Sequence, residues 1–413
     1  MNAESLIWQG RRHAAVRTDA YLYHQLIPYL GNKRKLLPLI RQAIEHTGVI
    51  AGTFVDYFAG SGVVSRLAKL LGYRVLANDW EPYARAINRA YIGSNRPPRF
   101  AGLGGLDAAF AHLNALPPVE GYIARHLCPR DDHAYDPSRE RLFYTRANGG
   151  RIDAIREQIA AWEDRAQITE EERDYLLAAL LYGACYVSNT SGVFKGFHRG
   201  WGGATGTAHY RILSQLRLTP PLTRDNGQEN PVTALDAREL AANLDRFVPR
   251  CDIAYLDPPY NQHPYGANYH VLNTIALWDQ PPVSPWITGQ GDKSAIRKDW
   301  RTARRSAYNY RADALPALEQ LLGTLESRYI LISYSTDGLI PLEDLVAACC
   351  RRGRTDVVAR AYKRYRVSSQ RYSPEGYNVE FVLVVDGESA AAPAAGAAEL
   401  LATIEGARVG GNQ

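Results

Sequence analysis

The sequence is poor in sulfur and has no long apolar run. It contains one methionine and five cysteines, none of them in a C-x-x-C pair, which argues against a disulfide framework and against a zinc site. No stretch approaches about 18 uncharged apolar residues, and the first residues lack an apolar signal segment. We therefore expect a cytoplasmic protein with reduced thiols, no bound metal and no membrane insertion.

The charge is only moderately basic. A formal net charge of +5 over 413 residues permits a polyanionic partner without requiring one. Hydrophobic residues make up 46% and charged residues 22%, as in an ordinary globular protein with a large core. The length predicts two domains, or one domain that carries a large insertion.

An α/β unit is visible near the N-terminus. Residues 53–58 are predicted to be a strand, Gly60 and Gly62 a tight turn, and residues 63–71 a helix. A second short strand then ends at Asp79. This order of strand, glycine turn, helix and strand predicts a doubly wound parallel sheet.

The pattern changes after residue 94 and returns near residue 231. The intervening segment has amphipathic helical stretches and a glycine-rich aromatic loop at 188–206. We therefore predict a catalytic domain split into 1–94 and 231–387 and a mainly helical insertion at 95–230. The Ala-rich tail at 388–413 is predicted to be flexible, either disordered or partly helical.

The glycine turn lies between two acids. It departs from G-x-G-x-x-G because Ser65 occupies the third glycine position, and no Lys-Ser or Lys-Thr follows to make a Walker loop. Asp79 lies about twenty residues on, where a ribose would be held. Asp56 would repel a pyrophosphate but suits a cationic amino group, which favours S-adenosylmethionine over NAD. Simple close packing of strand and helix is the alternative for the glycines.

The stretch "CDIAYLDPPY" ends a buried strand with two prolines. Pro258 and Pro259 fix two φ angles and remove two donors, so nearby carbonyls are rigid and free. The Asp257 carboxylate and the Pro258 carbonyl could together accept both hydrogens of an exocyclic amino group, while Tyr260 stacks on the base. Such a base must first leave the duplex. A capped, proline-terminated strand is the alternative.

Five motifs together resemble the Dam-like, class D12 (alpha-group) adenine-specific DNA methyltransferases. They are "YLGNKRKLLPLI", "FVDYFAGSGVV", "LANDW", "DPPY" and "LISYSTDGLI", and the resemblance spans residues 28–385. It implies a Rossmann-like α/β methyltransferase fold with a mainly helical target-recognition insertion. It also implies site-specific transfer of a methyl group from S-adenosylmethionine to the 6-amino group of a flipped-out adenine in double-stranded DNA.

The resemblance also implies roles for single residues. Lys33 would contact the methionine end of the cofactor or a neighbouring acid, and Asp79 the ribose hydroxyls. Asp236 would bind the adenine amino group of the cofactor, although it could instead cap the helix that follows. The remaining cofactor residues are Tyr29, Asp56, Phe58, Gly60 and Gly62, and the catalytic residues are Asp257, Pro258, Pro259 and Tyr260.

Three basic stretches with interleaved aromatic residues are predicted to contact the DNA backbone, although a solvated surface is the usual role of such runs. The loop at 188–206 either reads the target or folds over the cofactor. Residues 261–275 are expected to form a mobile loop that closes on the flipped base. The predicted DNA contacts are Lys195, Arg199, Arg297, Arg301, Arg304, Arg305, Lys363, Arg364 and Arg366.

Other functions remain open from the sequence alone. A cytosine 4-amino methyltransferase more often carries Ser before the two prolines, and RNA or protein-glutamine methyltransferases usually carry Asn. A catalytically idle DNA-binding protein would not need an intact "DPPY", and a dehydrogenase would need the third glycine. We expect a monomer, and neither the recognition sequence nor the presence of a cognate restriction endonuclease can be read from these residues.

Overall fold

The computed structural model describes residues 19–203, 206–285, 287, 292–363, 377–391 and 394–410. Within them lies a seven-stranded sheet of order β3-β2-β1-β4-β5-β7-β6. Strands β1 to β5 run parallel, and β7 is antiparallel to both β5 and β6. The strands are β1 Thr53–Asp56, β2 Arg74–Asn78, β3 Val232–Thr233, β4 Cys251–Leu256, β5 Ser327–Ser335, β6 Arg354–Lys363 and β7 Tyr377–Asp386.

The helices alternate with these strands, as the sequence predicts for a Rossmann-like fold. In chain order they are α1 Ala20–Tyr23, α2 Leu37–His46, α3 Val63–Leu70, α4 Pro82–Asn88, α5 Leu106–Ala115, α6 Tyr122–Leu127, α7 Arg146–Asp164, α8 Glu170–Tyr186, α9 His209–Leu213, α10 Ala237–Ala242, α11 Tyr265–Asn268, α12 His270–Leu277, α13 Trp300–Ala303, α14 Arg311–Thr324, α15 Leu342–Arg352 and α16 Ala394–Gly410.

The sheet has a hydrophobic layer on each face, because successive strand residues point to opposite sides. Phe54 and Ile253 enter one layer with α2, α3 and α4, whereas Val55 and Ala254 enter the other with α10, α14 and α15. Each strand residue of β1 is buried, so the central strands read as continuous apolar runs. The layers leave the carboxyl ends of the parallel strands as the accessible edge.

The segment between β2 and β3 is mainly helical, as predicted. Its longest helices are α7 and α8, and α8 begins with a capping box between Thr169 and Glu172. Ile155 of α7 and Leu180 of α8 belong to the same hydrophobic cluster as Phe54 of β1. The helical segment therefore shares one core with the sheet.

Residues 394–410 of the Ala-rich tail form a helix that packs on the sheet, whereas the sequence left open whether the tail is disordered or partly helical. Ile404 is fully buried and Leu400 is 9% exposed, and both join the layer formed by α15 and the sheet. The sequence signal was weak because few large apolar residues mark the packed side of α16, namely Leu400, Leu401 and Ile404. Alanines on either side allow the helix to lie close to the strands.

The prediction of a mobile loop after "DPPY" is also wrong. Residues 265–277 form α11 and α12, and Tyr269, Leu272 and Ile275 are buried in the core. These three residues recur every three positions, which is a helical spacing that the nearby polar residues disguised. The segment after the tetrapeptide is therefore a fixed wall.

The described residues contain no helix with the length and apolar character that crossing a membrane requires. They also contain no group of three or more His, Cys, Asp or Glu side chains placed to hold a metal ion.

Candidate active site

The predicted motifs meet at one edge of the sheet. The glycine turn follows β1, Asp79 follows β2 and Asp257 follows β4, and these strands are parallel neighbours. Their carboxyl ends border a cleft with a cavity volume of about 80 Å³. In open α/β sheets such a crevice is the usual ligand site. The residues predicted from sequence that line it are Tyr29, Phe58, Asp79, Asp236, Asp257 and Pro259.

Gly60 and Gly62 are required by the shape of the turn. Gly60 has φ +51° and Gly62 has φ +77°, values in the left-handed region that favours glycine. A Cβ at Gly60 would lie 2.8 Å from Cε1 of Tyr29, and one at Gly62 would lie 2.3 Å from Oδ1 of Asn88. The backbone therefore approaches Tyr29 and α4 more closely than any other residue would allow.

Asp56 is buried next to this turn and is hydrogen-bonded to Ser65. The carboxylate is 1% exposed, and the hydroxyl of Ser65 donates a hydrogen bond of 2.7 Å to its Oδ2. Burial raises the pKa of Asp56 to about 7, although the bond from Ser65 opposes that rise. Its Oδ1 has no hydrogen-bond partner. The serine that breaks the dinucleotide fingerprint therefore anchors the acid before the turn.

Two acids lie side by side at the end of β2. Asp79 accepts hydrogen bonds from the backbone N–H of Gly60 (2.7 Å) and of Glu81 (2.8 Å), and burial raises its pKa to about 6. Glu81 accepts a bond of 2.5 Å from the Nδ2 of Asn273, and burial raises its pKa to about 7. Glu81 lines the same cleft but was not predicted from the sequence. Its position two residues after Asp79 was the available signal.

Aromatic rings line the remaining walls. Tyr29 stacks on Tyr265 and on Tyr269, with 5.2 Å between ring centroids in each pair. Phe58 packs edge-on against Tyr308 at 5.3 Å. Acidic side chains at the end of β2 and flat apolar faces opposite form a cleft suited to a sugar joined to a planar heterocycle.

Asp236 forms the predicted helix cap, and its position is compatible with the predicted ligand contact. It is the N-cap of α10, where its Oδ1 accepts a hydrogen bond of 2.9 Å from the backbone N–H of Arg238. It also lines the cleft. Capping and ligand contact are therefore compatible at this position.

Asp257 forms an ion pair with Lys33. The Nζ of Lys33 lies 3.0 Å from Oδ1 of Asp257, and the lysine side chain is 2% exposed. Burial disfavours the charged lysine, but Asp257, Tyr260 and Glu380 outweigh it and raise the pKa of Lys33. Burial raises the pKa of Asp257, and Lys33 opposes that rise. The lysine thus helps the buried carboxyl to remain ionised.

The rest of the tetrapeptide is held by short contacts. The Nζ of Lys33 lies 4.8 Å from the ring centroid of Tyr260, and Tyr260 packs edge-on against Tyr334 at 5.7 Å. The carbonyl of Tyr260 accepts a bond of 3.2 Å from the N–H of Leu339. In the described part of the chain, no backbone N–H donates to the carbonyl of Pro258. That carbonyl therefore has no backbone donor among the described residues, and its neighbours Asp257 and Pro259 line the cleft.

One predicted DNA-contacting arginine belongs to the cleft. Arg304 donates a bond of 2.7 Å from Nη1 to the carbonyl of Trp80, and its guanidinium lies 4.4 Å from the ring centroid of Trp300. It is half-buried and lines the cleft. This position favours a structural or cofactor-side role over a phosphate contact.

Two further predicted DNA contacts are engaged by carboxylates. Arg297 pairs with Asp279 and lies 2.7 Å from Asp299, and its side chain is 8% exposed. Arg305 lies 2.6 Å from Asp313. These internal ion pairs weaken the prediction for both arginines.

The remaining predicted DNA contacts divide into two groups. Lys195 is half-buried and Arg199 is exposed, both in the loop after α8. The side chains of Arg301 and Lys363 lie outside the described atoms, and Arg364 and Arg366 lie outside the described residues. All of these stay predictions.

Comparison with known proteins identifies the family. A sequence model of the D12 class N6 adenine-specific DNA methyltransferases matches residues 29–284. The type II methyltransferase M.NlaIII of Neisseria lactamica is 34% identical over 344 residues, which cover 82% of this chain and 92% of the relative. The modification methylase StsI of Streptococcus sanguinis is 29% identical over 363 residues, 86% of this chain and 51% of the relative.

The type II methyltransferase M.CviAII of Paramecium bursaria Chlorella virus 1 is 29% identical over 342 residues, 82% of this chain and 93% of the relative. No solved structure gave a significant match. The family match covers the glycine turn, the acid after β2 and the tetrapeptide after β4, the three features that meet in the cleft. The chain belongs to the D12 class of N6 adenine-specific DNA methyltransferases.

Proposed function

We propose that this DNA adenine methyltransferase takes its methyl group from S-adenosylmethionine, bound in the cleft, and delivers it to an adenine flipped out of double-stranded DNA. The family membership fixes the acceptor as the 6-amino group of adenine in DNA and sets aside the cytosine, RNA and non-enzymatic alternatives. The cofactor, the flipped base and the roles of single residues are the proposed parts.

The residues that line the cleft fit the chemistry of this cofactor. Asp79 would hold the ribose hydroxyls, Asp236 the adenine amino group, and the Gly60–Gly62 turn with Phe58 the methionine end. The buried Oδ1 of Asp56, which has no partner, suits the cationic amino group. When bound, S-adenosylmethionine supplies an electrophilic methyl group on a sulfonium.

The observation that carries the proposal is the buried Lys33–Asp257 pair beside a free Pro258 carbonyl. Two acceptors at a strand end can take both hydrogens of one amino group, which leaves its lone pair more available for attack. Lys33 favours the ionised form of Asp257, so the carboxylate is ready to accept. The proton released after transfer needs no further base than Asp257.

Tyr260 is proposed to stack on the extruded base. Its ring is half-exposed and is held edge-on by Tyr334. Extrusion of a base costs a few kcal/mol, which stacking and the two hydrogen bonds at the pocket must offset.

The biological setting is also proposed from the relatives. M.NlaIII and M.CviAII are type II methyltransferases and StsI is a modification methylase, which supports a cytoplasmic modification enzyme with a cognate restriction endonuclease. We propose that the enzyme acts as a monomer. Residues 95–230 would recognise the target, and residues 1–94 with 231–387 would form the catalytic domain.

The test is a labelling experiment. The protein is incubated with S-adenosylmethionine carrying a labelled methyl group and with unmethylated genomic DNA, which is then digested to nucleosides. Label in 6-methyl-2′-deoxyadenosine is expected, and sequencing the modified sites gives the target. Asp257→Ala should abolish labelling while S-adenosylhomocysteine still binds in calorimetry. Labelling that persists in Asp257→Ala would refute the assigned role of this carboxylate.

A further inference from the structure

A second, larger cleft adjoins the cofactor cleft. Its cavity volume is about 930 Å³, and it shares Pro264, Gly266, Arg304 and Ser306 with the first cleft. A ligand in the second cleft therefore lies next to the segment that follows the catalytic tetrapeptide. The side chains that give the second cleft its chemistry are Lys195, Gln262, Lys293, Trp300, Arg305 and Tyr310.

Most cations near this cleft are already neutralised. Arg297 pairs with Asp299 at 2.7 Å, and Arg305 pairs with Asp313 at 2.6 Å. Lys298 lies 2.7 Å from Asp292. A cation that already has a carboxylate partner gains little from a second anion, so Arg297, Lys298 and Arg305 are poor phosphate ligands.

Two lysines differ from the others. Lys195 and Lys293 line the second cleft from separate parts of the chain, and neither has a carboxylate within ion-pair distance among the residues the structure describes. The Nζ of Lys195 lies 3.4 Å from Nδ1 of His263. Burial, and then Lys195, lower the pKa of His263, so the imidazole is neutral at pH 7 and offers the lysine no negative charge.

The backbone on both sides is fixed by buried side chains. The hydroxyl of Ser294, which is 4% exposed, donates to the carbonyl of Lys195 and ties the two lysine segments together. Arg141, which is 6% exposed, donates to the carbonyl of Lys293 at 3.1 Å. The Nζ of Lys293 also lies 5.5 Å from the ring centroid of Phe197. The two ammonium groups are therefore presented by a built frame and not by a loose surface.

The same frame is joined to the wall behind the tetrapeptide. The N–H of Phe194 donates to the carbonyl of Asn268 at 2.6 Å, and the ring of His270 bonds to the carbonyl of Phe194 at 2.9 Å. Burial lowers the pKa of His270 to about 4, so its Nε2 donates as a neutral imidazole. The loop that carries Lys195 is thus held against α11 and α12.

We propose that Lys195 and Lys293 bind a backbone phosphodiester of the DNA strand that carries the target adenine. The inference rests on the proposed function, since it places the duplex beside the cofactor cleft. Two unpaired cations on a rigid frame next to the reacting edge suit one phosphodiester group of DNA. Such a contact positions the strand and carries no sequence information itself.

The test measures how the KM for DNA depends on salt concentration in the single variants Lys195→Gln and Lys293→Gln. With unmethylated genomic DNA as substrate, each variant should raise the KM for DNA about tenfold, the scale of one lost charged contact. The slope of log KM against log salt should become shallower in each variant, by at most about 0.9, the value for one phosphate of duplex DNA. The kcat and the calorimetric Kd for S-adenosylhomocysteine should stay within about twofold of the wild-type values.

Lys298→Gln is the matched control, because it removes the same charge from the same region but from a lysine already paired with Asp292. Its KM and salt slope should equal those of the wild type. Wild-type slopes in Lys195→Gln and Lys293→Gln, or an equal change in Lys298→Gln, would overturn the phosphate site. Absence of 6-methyl-2′-deoxyadenosine from the wild-type reaction would instead overturn the proposed function, so the two failures are distinguishable.

Discussion

The Lys33–Asp257 pair sets the charge at the tetrapeptide. Asp257 is buried at the end of β4, where desolvation raises its pKa and favours the neutral acid. The ammonium of Lys33, 3.0 Å away, stabilises the carboxylate. Because a neutral acid can accept fewer hydrogen bonds, the methyl transfer that we propose depends on this lysine as well as on the cofactor.

Lys33→Met should move the acidic limb of the kcat profile to higher pH. Removing the cation takes away the interaction that lowers the pKa of Asp257, so protonation begins at a higher pH and activity is lost earlier on acidification. The kcat is measured against pH at saturating cofactor and DNA. Lys33→Arg should restore much of the wild-type limb, because it restores the charge. An unshifted limb in Lys33→Met would contradict this role.

The sequence revealed those site residues that lie together in one short, continuous motif. Asp257, Asp79 and the two glycines of the turn are recognisable because strand, turn and acid follow each other directly. The partners of these residues were not recognisable. Asn273, which donates to Glu81, lies 192 positions away from it. Ser65 departs from the glycine fingerprint in the sequence, but in the structure its hydroxyl bonds to Asp56. Pairing across the fold leaves no local pattern.

At the level of elements, regular helices and strands were predicted well and polar helices were not. The β1–α3–β2 unit agrees with the predicted strand, turn and helix to within two residues. The α11–α12 segment was mistaken for a mobile loop, because polar residues interrupt its apolar spacing. The arginine-rich run before α14 was predicted to contact DNA. In the structure Arg297 and Arg305 instead form ion pairs with carboxylates of this protein. A run of charges in the sequence does not reveal such pairs.

Gly62→Ala should disrupt the turn between β1 and α3. The new methyl group would meet Oδ1 of Asn88 at 2.3 Å, at a φ of +77° that disfavours side chains. We expect a loss of about 1–3 kcal/mol in the free energy of unfolding and weaker binding of S-adenosylhomocysteine. Urea denaturation and calorimetry measure the two effects.

Gly323→Ala in α14 is the control for that substitution, because no atom lies within 4 Å of its added methyl group. It should leave stability unchanged or raise it by up to about 1 kcal/mol, since alanine favours the helix. If Gly62→Ala and Gly323→Ala changed the free energy of unfolding equally, the close approach of Asn88 would not explain why position 62 needs glycine.

In the whole molecule, the two hydrophobic layers connect the sheet that carries the catalytic edge to distant parts of the chain. The stability of that edge therefore depends on them. One layer joins the sheet to the helical segment between β2 and β3, and the other joins it to α16 at the C-terminal end. Sequence could predict a Rossmann-like sheet with a helical insertion. It could not predict that the last helix packs on the sheet, because its alanines carry little apolar signal.

Ile404→Ala should therefore destabilise the whole domain, although position 404 lies far along the chain from the cleft motifs. The side chain is fully buried against the layer of α15 and the sheet, and truncating such a residue costs about 2–4 kcal/mol. Glu405→Ala, at the exposed neighbouring position, should change stability by less than about 0.5 kcal/mol. Urea denaturation of both variants tests this, with methyl transfer per folded molecule as a second readout that should remain at the wild-type level. Equal stability of the two variants would show that α16 does not pack on the sheet in solution, and the original expectation of a flexible tail would then stand.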